Sequence, residues 1–123
     1  MNKEKQLQHN DAILKKLDFQ QLLADVHHEP DPQKRSHALV YAFCHMLYQQ
    51  RTGGRSFSRQ WILNHIGSPQ QEWTEDNGDQ RLWYNLAFPC PPSISQQVAD
   101  VTLRNNRLAG FSRSEVIQTD ACD

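Results

Sequence analysis

Cysteine is scarce in this sequence, with three residues, Cys44, Cys90 and Cys122, odd in number and widely spaced. An odd, widely spaced set fits a reducing cytoplasm best, and the lack of any Cys-x-x-Cys pair excludes the common structural zinc signatures. The histidines do not make up the deficit. No two of the six stand four apart, and His27-His28 and Cys44-His45 are adjacent pairs whose side chains diverge on a helix. No metal is expected. Long apolar runs are missing too: none approaches the roughly 18 to 20 residues needed to cross a bilayer. The opening Met-Asn-Lys-Glu-Lys-Gln carries no apolar stretch of the kind a secretion signal needs. The expectation is a cytoplasmic protein that does not associate with membranes. Charge of one sign is absent, since 13 Lys and Arg against 14 Asp and Glu leave a net charge of -1. No global positive field then exists to attract nucleic acid or anionic lipid. There is no glycine-rich nucleotide cradle, no Gly-Lys-Ser/Thr ending and no Ser, His and acid set at local spacing. No catalytic residue and no cofactor is expected.

What is present is one dense apolar stretch, Ala38-Leu-Val-Tyr-Ala-Phe-Cys-His-Met-Leu-Tyr48, in a chain only 37% hydrophobic. So concentrated a run must be the core. At 123 residues the chain supports one domain. We expect a flexible N-terminus over 1–10, a globular domain over 11–118 and a flexible polar tail over 119–123.

Helix signals dominate the first half. Ala12, Ile13, Leu14 and Leu17 mark a short helix, and Phe19, Leu22, Leu23 and Val26 mark a second at i, i+3, i+4, i+7. Asp18 is placed to cap the second, with Gln21 completing a capping box. That helix should stop near His28, because Glu29-Pro-Asp-Pro32 cannot continue it. The core helix should run from Pro32, capped by Asp31, to about Gln50, before Thr52-Gly-Gly54. Ser58 caps a further short helix, with Phe57 stapled onto Ile62 and Gly67 as the stop.

Two readings compete over 68–88. Asp76-Asn77-Gly78-Asp79 suits a type I′ hairpin turn pairing Trp73 with Leu82, whereas Asp79 also suits the cap of a helix through Leu82, Trp83 and Leu86. After the connector Pro89-Cys-Pro-Pro92, the residues Ser93 and Gln96 read as a capping box. Ile94, Val98, Val101 and Leu108 then read as the apolar stripe of a long helix ending at Gly110. Ser112 with Glu115 suggests a last helical turn.

The fold class expected is therefore mainly α: a small single-domain helical bundle around the buried helix at about 32–50, with at most one short hairpin at about 72–88. Several residue groups are candidates for function. Arg51, Arg55 and Arg59 form the one local basic cluster, within Arg51-Thr-Gly-Gly-Arg-Ser-Phe-Ser-Arg59, where guanidinium groups and backbone amides suit phosphate. The helix before Gly67 and a second over 69–76 suggest a helix-turn-helix, although Glu72, Glu75 and Asp76 would bring negative charge into the groove of DNA. Glu72, Glu75, Asp76 and Asp79 around Asn77-Gly78 fall short of a calcium loop. His37, Tyr41, His45 and Tyr48 share one stripe of the core helix, either as a polar pocket or as packing. Trp73, Trp83 and Tyr84 concentrate aromatic surface, which favours a protein interface. The function expected is a small regulatory or adaptor protein acting through protein contacts, with a partner protein or a second copy of itself. The alternatives are a nucleic-acid-binding regulator and an enzyme whose site converges only in three dimensions.

Overall fold

The computed structural model describes residues 12–87 and 94–118, and for 32–33, 85–87, 94–98 and 113–118 it describes the backbone alone. The expected flexible ends at 1–10 and 119–123, and the connector with Cys90, lie outside the described residues. After a short helical segment over 12–16 come α1 (Phe19–His28), α2 (Pro32–Gly53) and α3 (Arg59–His65). Four strands follow, β1 (Gln71–Thr74), β2 (Gln80–Ala87), β3 (Ile94–Arg104) and β4 (Arg107–Gln118). They form one antiparallel sheet in the order β1-β2-β3-β4.

The helical half follows its caps. The Asp18 carboxylate accepts from the amides of Gln20 and Gln21, at 3.1 and 3.3 Å, and so satisfies two of the first-turn donors of α1. Gln21 does not reach back to complete a capping box; its side-chain amide donates instead to Asp25 at 2.8 Å. The Ser58 hydroxyl accepts from the Trp61 amide at 3.1 Å and starts α3. Phe57 and Ile62 are both fully buried in one apolar cluster, as a hydrophobic staple requires.

The second half corrects the mainly helical expectation: the architecture is α+β. Of the stretch read as a long helix, residues 94–110 are β3, a two-residue turn and the start of β4. Ala99, Val101 and Leu103 are buried at a period of two, and Asn105 and Asn106, with φ of 53° and 65°, make the tight turn between the strands. The Ser112 and Glu115 pair lies within β4 and caps nothing. The would-be recognition helix over 69–76 contains β1, so no helix-turn-helix forms.

The hairpin alternative for 72–88 is the one adopted, but not with the turn or the pairing expected. The Glu75 amide donates to the Asp79 carbonyl, and the Gly78 amide to the Glu75 carbonyl, with Gly78 at φ 91°. This is a three-residue loop closed by a left-handed glycine. It sets Trp73 opposite Arg81 and Glu72 opposite Leu82, one place away from the two-residue type I′ register.

The core is a sandwich of α2 on one sheet face. Ala42, Phe43 and Met46 of α2 are fully buried together with Leu82, Val101 and Leu103 of the sheet. The Phe43 ring stacks on Phe111 at 5.3 Å and lies 5.7 Å from Tyr84. On its other flank α2 holds α1, through Phe19 and Leu23. The loop after α2 closes the structure: Leu108 donates its amide to the Phe57 carbonyl, Arg59 donates to the Asn106 carbonyl, and Gln50 donates to the Leu108 carbonyl, at 2.8, 2.8 and 2.9 Å.

Candidate functional site

Because α2 covers the face that carries Leu82, Tyr84, Ala99, Val101 and Leu103, strand alternation sends their neighbours to the opposite face. From β1 come Gln71 and Trp73; from β2, Arg81 and Trp83; from β3, Asp100 and Thr102; from β4, Gly110 and Ser112. Only α2 makes substantial contact with the sheet, so this second face is open among the described elements. Trp73 is 39% exposed, and Trp83 is half-buried beside it.

The face is graded in size. Its bulk stands at one edge, where Gln71 pairs with Trp83 and Trp73 with Arg81. Its opposite edge is low: Thr102 pairs with Gly110 and Asp100 with Ser112. A methyl group added at Gly110 would lie 3.8 Å from the Thr102 Cβ, ordinary van der Waals contact, so the low edge has room above it.

Its charges are paired within the face. Arg81 grips Asp100 through both carboxylate oxygens and lies 3.7 Å from Glu75, which also accepts from the Trp73 indole at 2.9 Å. At the hairpin end Arg104 holds Asp79 with two hydrogen bonds of 3.0 and 2.9 Å. These bonds from Arg104 hold the Asp79 carboxyl below the usual carboxylate range, and the bonds to Asp100 raise Arg81. Two arginines thereby stand against three carboxylates, which leaves the face aromatic with one negative charge in excess.

Tyr84 does not join the two tryptophans. It points into the core, where its hydroxyl donates to the Gly67 carbonyl at 2.8 Å and burial pushes its ionisation upward. The three arginines of the basic cluster are engaged by their own protein. Arg59 makes a bidentate pair with Glu72 at 2.9 and 3.0 Å. Arg55 donates to Gln49 at 3.0 Å and lies 4.7 Å from the centre of the Phe57 ring. Arg51 lies 5.9 Å from the centre of the Tyr48 ring. They are spread over a helix end, a loop and the start of α3, with no common focus for a phosphate.

The stripe on α2 runs from solvent into the interior and lines no single pocket. His37 and Tyr41 are exposed, Tyr48 is half-buried, and His45 is buried with its ring stacked on Phe19 at 5.0 Å. Cys44 is half-buried rather than in the core. Glu72, Glu75 and Asp79 each face a different arginine, and among the described residues no three His, Cys, Asp or Glu side chains gather in a way that could hold a metal ion. No helix among the described residues is long and apolar enough to cross a membrane.

Arg81, Asp100, Thr102, Gly110 and Ser112 belong to the open face and were not singled out from the sequence. For Asp100 and Thr102 the sequence signal is the alternation of Ala99, Val101 and Leu103 against Asp100, Thr102 and Arg104. The chain matches no family model, no curated protein and no solved structure.

Proposed function

We propose that this is a cytoplasmic regulatory or adaptor protein that works through protein contacts made by the open sheet face, and that the partner on this face is a second copy of the chain. The supporting observation is the pair Trp73 and Trp83 on a sheet face that no described helix covers. Tryptophan is the side chain most enriched among interface hot spots. A nucleic-acid partner is disfavoured because Arg81 and Arg104, the cations of this face, are already paired with Asp100 and Asp79.

Self-association suits the size gradient. A twofold axis parallel to the strands, lying between two facing sheets, sets the β1 edge of one copy over the β4 edge of the other. Trp73 and Trp83 then descend onto Thr102, Gly110 and Ser112 of the second copy, twice by symmetry. Sedimentation velocity tests this. The parent should sediment as a dimer, and Trp83→Ala should weaken it by about thirtyfold, the equivalent of about 2 kcal/mol. Gly110→Leu should do the same by filling the low edge, with the circular dichroism of the parent retained. A parent that stays monomeric at high micromolar concentration overturns self-association.

A further inference from the structure

At the junction of α1, α2 and the loop before α3 lies a polar relay inside an aromatic cluster. Arg55 donates from its guanidinium to the Gln49 side-chain oxygen at 3.0 Å. That bond fixes the amide, so its other end is an NH2 that only donates. This NH2 stands 2.7 Å from His45 Nδ1. His45 Nδ1 is therefore the acceptor, and the imidazole is neutral with its proton on Nε2. Burial acts in the same direction and lowers the basicity of His45.

Against burial, a positive imidazole is favoured only by a hydrogen bond to the backbone of His45 itself, which is the smaller effect. From α1 comes the Phe19 ring, while the Asp18 carboxylate, next to it in the chain, accepts from the amides of Gln20 and Gln21 through Oδ1. From α2 come the edge of Tyr48 at 5.6 Å and, beyond it, the cation of Arg51. The loop brings the cation of Arg55 through Gln49, and α3 brings Trp61 with His65 stacked on it at 4.1 Å.

We propose that His45, Gln49 and Arg55 form an acid-operated latch: a proton taken from solvent onto His45 Nδ1 sets two N–H groups against each other and forces the relay open. Two movements relieve the conflict. Gln49 turns its amide over, which presents NH2 to the Arg55 guanidinium and releases Arg55 from its place over Phe57 and Trp61. Otherwise the imidazole swings away and breaks its stack on Phe19. Since Phe19 also stacks on Trp61 at 6.0 Å, either movement loosens α1 against α2 and α3.

Proton NMR of the full chain between pH 8 and pH 5 tests the latch. In the parent, His45 should titrate below the ordinary value of 6.5. One of two contacts seen as nuclear Overhauser effects at pH 8, Phe19 to His45 or Arg55 to Trp61, should disappear along that same midpoint: the second if Gln49 turns over, the first if the imidazole swings away. Gln49→Glu replaces the donor by a carboxylate that accepts from both the imidazolium and Arg55. In that variant the His45 midpoint should rise above the parent's, and the contacts should survive at pH 5. His65→Gln removes the other imidazole against Trp61 and should leave the parent's transition in place. Persistence of both contacts in the parent below the His45 midpoint, or a Gln49→Glu protein that opens like the parent, overturns the proposal.

Discussion

Trp73 stands directly across the first hairpin from Arg81, which places it on the open face of the sheet while Glu72, one residue earlier, lies across from the buried Leu82. The Asp76-Asn77-Gly78 loop sets this register, and a shift of one residue would exchange the faces of the whole hairpin. Gly78 holds the loop at φ 91°, a conformation that costs other residues about 1 to 3 kcal/mol. No atom outside its chain neighbours lies within 4 Å of an added Cβ, so backbone strain is the only penalty. Gly78→Ala should therefore lower the urea-unfolding free energy by about 1 kcal/mol or more, and Gly78→Val by more still.

Phe43 is fully buried between the helix layer and the sheet, against Tyr84 and Phe111. Phe43→Ala should cost about 3 to 5 kcal/mol through lost transfer energy and the cavity left behind. That is a large part of an ordinary stability of about 5 to 15 kcal/mol. Thermal melting of the variant within a degree or two of the parent would place the core elsewhere.

The helical half was legible because its signals are local. Asp18, Ser58 and the prolines at 30 and 32 act within one turn of chain, and the Ala38 to Tyr48 run supplies Leu39, Ala42, Phe43 and Met46 to the core while Tyr41 stays exposed. The sheet was not, because Ile94, Val98, Val101 and Leu108 satisfy a helical spacing by coincidence while the β-branched content and the alternation around Val101 favour a strand. What decides between them is a partner strand and the buried face of α2, neither of which is local. The turn signals were also easy to exchange. Asn77-Gly78 looks like the type I′ turn, and the tight two-residue turn with both φ positive is Asn105-Asn106. The tryptophans were recognised as candidate interface residues, but Tyr84 was grouped with them because its inward orientation follows only from the register.

Acid should weaken the hairpin end of the sheet. Arg104 holds the Asp79 carboxyl below its ordinary value of 3.8, so near that pH the unfolded chain binds more protons than the folded one. The stabilisation is complete above 3.8 and is lost as pH falls through the lower, folded value. Denaturant midpoints of the parent and Asp79→Asn should therefore differ most at neutral pH and converge as pH falls below 4. A constant difference down to acid pH would show that the pair with Arg104 does not survive in solution.

The Arg59 and Glu72 pair joins α3 to β1 with a third of each side chain exposed, 32% and 34%. Exposed pairs are screened by solvent, so a double-mutant cycle with Arg59→Ala and Glu72→Ala should give a coupling of about 1 kcal/mol or less. The coupling should shrink in 1 M salt, where the Debye length is about 3 Å. A coupling that exceeds this and resists salt would mean the pair is drier than its exposure indicates.

Adjacent in the chain, Trp83 and Tyr84 should answer two different experiments. Tyr84 is 5% exposed, and its hydroxyl donates to the Gly67 carbonyl, which ties β2 to the end of α3. Tyr84→Phe keeps the ring against Phe43 and removes only that bond, so unfolding free energy should fall by about 0.5 to 1.5 kcal/mol, or by somewhat more if the Gly67 carbonyl stays dry. Because the change lies on the helix-covered face, the sedimentation of the protein should not alter. Trp83→Ala lies on the other face and should reverse the pattern, with monomer stability nearly unchanged and association weakened. If Tyr84→Phe dissociates the dimer as strongly as Trp83→Ala does, the contact is not made by the open face alone. If neither variant changes sedimentation while the parent is a dimer, the copies meet somewhere other than this sheet.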